Sequence, residues 1–252
     1  MARRWAPVVA ATEKFTVLRD PVRPSGRLLR QAGMDASYVD LADPAHLEFD
    51  YLRWLRAVVE AAGARHLVHV GGAACALARA LAAARPGDLQ EVVELDPEAL
   101  EIARRHLGLR RAPGLKVRTG EGRAVLAARA DGSVDAVVVD AFVGARVPRE
   151  LVTAEALAGF ARVARLVALN VVDAKPLEEA AAIAAGLAGA FAHVVAVGAA
   201  PVVARRRGGN VVLVGSHAPL PLERLRARLA ADRSPAVVAP FATGGAPPFR
   251  DG

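Results

Sequence analysis

The sequence predicts an α/β fold, a mainly parallel sheet covered by helices on both faces, with a small antiparallel unit in front of it. Three observations predict it. Between residues 66 and 188, short Val- and Leu-rich runs alternate with helical patterns, and strands that are apolar throughout need cover on both faces. The first of these runs feeds a turn of small residues, Gly71-Gly72-Ala73-Ala74. The next ends on a carboxylate, Glu94, 23 positions after Gly71 and just before Asp96-Pro97, a helix start.

Residues 1–43 hold short strand-like pieces at 15–18, 27–30 and 37–41, separated by Asp20-Pro21, Pro24-Ser25-Gly26 and Gly33. Such a hairpin unit is too small for a core of its own and must pack on the main domain. Asp43-Pro44 predicts the start of a helix running to Gly63, with Leu47, Tyr51, Trp54, Leu55 and Val58 on one face. Strands are expected at 66–70, 89–94, 115–119, 134–139 and 163–170, and helices at 73–84, 97–107, 121–129, 153–161 and 176–188. Two further strands, 191–197 and 210–214, read as an antiparallel hairpin around a loop at 201–209, followed by a helix at 220–229 and a Pro/Gly-rich tail at 235–252. The expected division is a hairpin unit at 1–43, a nucleoside-binding domain at 44–231 and a tail at 232–252. Seven strands ending in such a hairpin describe the class I methyltransferase-like Rossmann fold.

Composition narrows the function. No apolar run reaches the ~18 residues that cross a bilayer, and the Met-Ala-Arg-Arg-Trp start lacks the apolar stretch of a secretory signal, so a cytoplasmic protein is expected. One cysteine forbids an internal disulfide, and neither Cys-x-x-Cys nor His-x-x-x-His spacing occurs, so no metal is expected. Cys75, in the first helical turn after the glycines, has no companion base nearby and reads as a packed, inert thiol. The net charge of +7 comes with 33 basic residues of which three are lysines, a bias of coding more than a polyanion footprint. No aromatic residues interleave the basic pairs, so nucleic acid is not an expected partner.

The chemistry gathers at the strand ends. Bare backbone at Gly71 and Gly72 admits a ligand beside helix N–H groups, and Glu94 is placed to accept from both hydroxyls of a ribose. In Thr119-Gly-Glu-Gly-Arg123, Glu121 and the backbone at Gly122 suit an adenine edge, although Glu121 equally suits an ordinary acidic helix start. Asp140 closes the apolar strand Val134-Asp-Ala-Val-Val-Val-Asp140, where a carboxylate binds a substrate amine or removes its proton. Its alternatives are a helix cap or an arginine partner. Tyr51, on a helical stripe that also reads as core, and Glu48 are placed to border such a ligand from the preceding helix.

These residues resemble the spermidine synthase family, the polyamine aminopropyltransferases. The likeness lies in the N-terminal hairpin unit, Asp43-Pro-Ala-His-Leu-Glu-Phe-Asp-Tyr51, Gly71-Gly72, Val93-Glu-Leu-Asp-Pro97, Gly120-Glu-Gly-Arg123 and Asp135-Ala-Val-Val-Val-Asp140. It implies S-adenosylmethionine or its decarboxylated form as co-substrate, no permanently bound cofactor, Glu94 on the ribose, Glu121 on the adenine, and Asp140 as the acceptor of the amine proton. It also shows departures. The family's aminopropyl-gripping Asp is Ala74 here, the second Asp of its Asp-Ser-x-Asp loop is Val143, its Gln after the hairpin unit is Asp35 or Ala36, and a Glu beyond the helix Tyr is Arg53. Two or three lost charge-assisted hydrogen bonds, about 1.5–3 kcal/mol each, predict an altered polyamine half-site. The expectation is a spermidine synthase-like transferase acting on a small-molecule amine or other small acceptor, with a homodimer allowed. The alternatives are an S-adenosylmethionine-dependent methyltransferase and a non-catalytic nucleoside-binding module.

Overall fold

Four strands open the chain in the computed structural model, which describes residues 7–252: β1 (Val8–Ala11), β2 (Phe15–Arg19), β3 (Gly26–Gln31) and β4 (Met34–Asp40). They pair antiparallel in sequence order as a separate sheet. Alternation sends Phe15, Val17 and Leu29 into the core of the main domain, while Leu18, Leu28 and Tyr38 form a small cluster on the opposite face. β1 was not expected from the sequence pattern. It is a largely exposed Val-Val-Ala-Ala edge with a register shift against β2.

The helix expected from Asp43-Pro44 begins later, as α1 (Asp50–Ala61). Asp43 caps a turn instead, its carboxylate accepting from the Ala45 N–H. The Leu47 and Glu48 carbonyls are taken by the Arg53 and Arg233 guanidiniums, so the chain there does not wind into helix.

The remaining strands, β5 (His66–Gly71), β6 (Leu89–Glu94), β7 (Leu115–Thr119), β8 (Val134–Asp140), β9 (Ala164–Asp173), β10 (His193–Gly198), β11 (Gly209–Ser216) and β12 (Val237–Pro240), form one sheet. Its order is β12-β10-β11-β9-β8-β5-β6-β7. The pairs from β7 across to β9 are parallel, and those linking β9, β11, β10 and β12 are antiparallel. An eighth strand thus extends the seven expected: residues 237–240, read from sequence as tail, pair with β10 and bury Val238. Four residues ending in Pro240 gave too short a pattern to read.

Helices α2 (Ala76–Ala84), α3 (Pro97–His106) and α8 (Leu222–Ala230) join α1 on one face of the sheet, through Leu55, Leu77, Leu100 and Leu225. The other face is covered by α4 (Gly122–Ala127), α5 (Ala154–Val163) and α6 (Glu178–Ala190), through Leu126, Phe160 and Ile183. A short α7 (Ala200–Val203) interrupts the predicted 201–209 loop. Edge strand β7 exposes Lys116 and Arg118, charges that discourage pairing with another chain. No helix among the described residues is long and apolar enough to cross a membrane.

Strands β6 and β7 build outward from β5 on one side, and β9 lies beyond β8 on the other, so the order reverses between β5 and β8. Ligands of open sheets sit beyond the carboxyl ends at that reversal. There Gly71 pairs with Asp140, while Val139 pairs with Leu169 and brings Asn170 level with the carboxylate.

Candidate active site

The turn leaving β5 has positive φ at Gly71 (78°), Gly72 (108°), Ala73 (44°) and Cys75 (59°). Glycine is the relaxed residue for such backbone, and a non-glycine residue there costs on the order of 1–3 kcal/mol. Ala73 and Cys75 are held by their surroundings. The Ala73 N–H donates to Glu94 Oε2 at 3.0 Å, and the Cys75 N–H donates to the Gly72 carbonyl at 2.8 Å. Gly71 is required for a second reason: a Cβ would lie 2.7 Å from the Asp140 carbonyl oxygen and from Ala141 Cβ.

Glu94 also accepts from the Asp96 N–H through Oε1 at 3.1 Å. Each carboxylate oxygen then holds one backbone donor, leaving a second lone pair for a ligand. Burial raises the Glu94 pKa, and those backbone donors pull against it. Cys75 is 2% exposed, and burial pushes its thiol up to about 12, in line with a packed, inert group.

Glu121 is the cap of α4, accepting from the Arg123 N–H at 2.8 Å and the Ala124 N–H at 2.5 Å, so the helix-start role is realised. It also faces the cleft. Gly122 packs this turn onto β5, because a Cβ there would lie 2.3 Å from Val70 Cγ1. From outside, Arg123 pairs with Asp251, Arg149 stacks on Phe249 at 3.4 Å, and the Ala154 N–H donates to the Phe249 carbonyl. The chain after β12 thereby braces the wall that carries Glu121 and Glu150.

Among the described residues Asp140 caps no helix and meets no guanidinium. Its carboxylate accepts from the Tyr51 hydroxyl at 3.3 Å and the Asn170 Nδ2 at 3.1 Å. Burial pushes its pKa up to about 6, opposed by those two hydrogen bonds and reinforced by the charge of Glu94. Burial likewise raises the Tyr51 hydroxyl well above its ordinary value. A carboxyl with this titration suits proton acceptance near neutral pH.

A cavity of about 1070 Å³ joins these groups, and Gly71, Gly72, Glu94, Glu121, Gly122, Asp140 and Tyr51 all line it. Its outer wall comes from β3 and β4, including Gln31 and Met34. Eight of the lining side chains are carboxylates and the single guanidinium, Arg30, is held by Asp35 at 2.7 Å. Four of the eight are paired with basic side chains, Asp35 with Arg30, Glu48 with Arg233, Asp50 with Arg53 and Asp96 with Lys14, which leaves Glu94, Glu121, Asp140 and Glu150 without an ion pair among the described residues.

The four departures fall differently. Ala74 is fully buried in the core, whereas Val143 is 73% exposed on the cavity rim. Asp35 and Ala36 line the cavity. Arg53 does not line the cavity and is held by both oxygens of Asp232 and by Asp50. Asn170 is absent from the sequence-derived site, yet its signal was present as one amide in the apolar run Leu166-Val-Ala-Leu-Asn-Val-Val172. Among the described residues no group of three or more His, Cys, Asp or Glu side chains is arranged to hold a metal ion.

No family model matches the chain, and no curated protein matches it in sequence. Solved structures do. A probable spermidine synthase from Corynebacterium glutamicum ATCC 13032 superposes with a TM-score of 0.88 at 28% identity, over 98% of this chain and 96% of its own. The spermidine synthase of Thermotoga maritima aligns at TM-score 0.62 and 13% identity, over 99% of this chain and 85% of its own. Human methyltransferase-like protein 13, in complex with SAH, aligns at 0.55 and 21% identity, over 70% of this chain and 86% of its own. The sheet, its cover and its carboxyl-end cleft define a class I methyltransferase-like Rossmann protein. Within that class, the chain is similar to spermidine synthases over nearly its whole length, including the N-terminal antiparallel sheet in front.

Proposed function

We propose that the protein transfers an alkyl group from an S-adenosyl nucleoside to a small amine. The observation that carries this reading is the acid-rich cleft with Asp140 recessed at its floor, between the bare Gly71-Gly72 backbone and Tyr51. The sulfonium and the acceptor nitrogen are cationic or become so, and carboxylates in a cleft of low dielectric favour both. Glu94 holds the ribose and the Glu121-Gly122 turn the adenine. The acceptor nitrogen attacks the carbon next to sulfur, the C–S pair returns to sulfur as a neutral thioether, and Asp140 takes the proton released from nitrogen.

The same charge pattern selects the co-substrate. The carboxylate of intact S-adenosylmethionine would meet Glu94, Glu121, Asp140 and Glu150, acids without an ion pair among the described residues, while the Arg30 guanidinium is already held by Asp35, so the decarboxylated form is the better fit. This accords with a solved spermidine synthase, similar in fold at 13% identity, that holds the transition-state analogue AdoDATO. A diamine with a second ammonium is less well served, because Val143 stands on the rim where a carboxylate would receive it.

Calorimetry of the protein with decarboxylated S-adenosylmethionine, S-adenosylmethionine and methylthioadenosine tests the reading. The decarboxylated form should bind most tightly. Preference for S-adenosylmethionine would indicate methyl transfer, and binding of none would leave a non-catalytic fold.

A further inference from the structure

Asn170 lies on β9, 1% exposed, with its side chain on the cavity. Its Nδ2 donates to Asp140 Oδ1, which fixes the orientation of the amide: the reverse would set a carbonyl oxygen against a carboxylate. Its Oδ1 is left buried with no hydrogen-bond partner among the described residues. A buried amide acceptor without a donor costs stability, and on the wall of a cavity the donor is one that a ligand or an ordered water can supply. The missing donor must sit beside Asp140, because the two groups are level on adjacent parallel strands.

We infer that Asn170 is a specificity-determining residue whose Oδ1 accepts one N–H of the acceptor nitrogen while Asp140 takes another. This rests on the transferase reading and deepens it. A neutral primary amine has two N–H groups and a lone pair. With one N–H on Asn170 and the other on Asp140, the lone pair is left facing the electrophilic carbon. A secondary amine at that stage has one N–H and an alcohol one O–H, so either leaves Asn170 unpaired. Discrimination of this kind exceeds what an apolar pocket achieves.

The test uses Asn170→Leu, which keeps the volume and removes both polar atoms, and Asn170→Thr, whose hydroxyl can serve Asp140 but falls short of the amine. The first readout needs no turnover: butylammonium is titrated calorimetrically into wild type and both variants, with and without methylthioadenosine. Both variants should bind butylammonium roughly tenfold more weakly, the size of one hydrogen bond to a charged group, with methylthioadenosine affinity unchanged within twofold. In Asn170→Leu, loss of the Nδ2 donor leaves Asp140 facing Tyr51 and the charge of Glu94, so the onset of butylammonium binding should move to higher pH. Unchanged butylammonium affinity in a folded variant overturns the inference. The second readout is kcat/KM for butylamine against N-methylbutylamine with decarboxylated S-adenosylmethionine, a preference that should collapse in the variants and whose survival there would also overturn it. Absence of transfer to any amine, with butylammonium binding still lost in the variants, would sink the transferase reading while leaving Asn170 as an ammonium ligand.

Discussion

The two halves of the cleft are built on opposite terms. On the side proposed for the nucleoside the carboxylates are already occupied by the protein: Glu94 holds the Ala73 and Asp96 N–H groups, and Glu121 holds those of Arg123 and Ala124. On the side proposed for the acceptor, and among the described residues, Asp140 has two neutral donors at 3.1 and 3.3 Å and Asn170 Oδ1 has none. The first half is therefore part of the fold, needed whether or not a ligand comes. The second is under-satisfied until one does. A site that doubles as scaffold is costly to change, because substituting Glu94 or Glu121 also removes the backbone anchors each supplies.

The sharpest way to break this comparison is Asp140→Asn. Shape is kept and the base is lost, so turnover should fall by about 10²–10⁴ while nucleoside affinity stays within a few-fold, measured by transferase assay and calorimetry. Loss of both together would mean that Asp140 holds the loop or the nucleoside and that the halves are not separable.

Glu94→Ala tests the other side. Two ribose hydroxyls lose their carboxylate, so nucleoside binding should weaken by about 2–3 kcal/mol in calorimetry. The turn also loses its Ala73 and Asp96 anchors, and the variant should melt earlier than wild type. An unchanged dissociation constant in the folded variant would remove Glu94 from the site.

The smallest expected effect is on stability against pH. The folded pKa of Asp140 is raised, from 3.8 to about 6, so between those values the folded state binds the proton more tightly than the unfolded state. Its contribution therefore favours folding at low pH and is lost as pH rises from about 4 through about 6. At pH 7 the ionised carboxylate is a burden, and Asp140→Asn should raise Tm by a few degrees, with the advantage vanishing near pH 4. A lower Tm for the variant at pH 7 would show that the carboxylate's hydrogen bonds outweigh its burial.

Much of this was legible because parallel-sheet folds write their sites into strand ends. The run to Gly71-Gly72, the carboxylate at Glu94 and the apolar strand stopping at Asp140 were local signals, and the register brings all three to one cavity. What was not legible depends on distant partners. The start of α1 moved because Arg233, far along the chain, takes the carbonyls of Leu47 and Glu48. Strand β12 is too short to have a period, and it exists because β10 offers it an edge. Asn170 carries no motif, and its meaning comes from lying level with Asp140 on the neighbouring strand. The charge of the cleft was hidden beneath an excess of arginine spread over the surface.

The placement of β12 bears on how the chain is made. It covers β10, whose Val195 and Val197 pack on the core one strand in from the edge of the sheet, and it leaves the ribosome after every other strand of that sheet. Until then β10 presents an open row of backbone donors and acceptors beside valine side chains, the combination that recruits strands from other nascent chains. The four residues that finish the sheet also close its most adhesive interval during synthesis, and Pro240 at their end offers no N–H to extend the ladder.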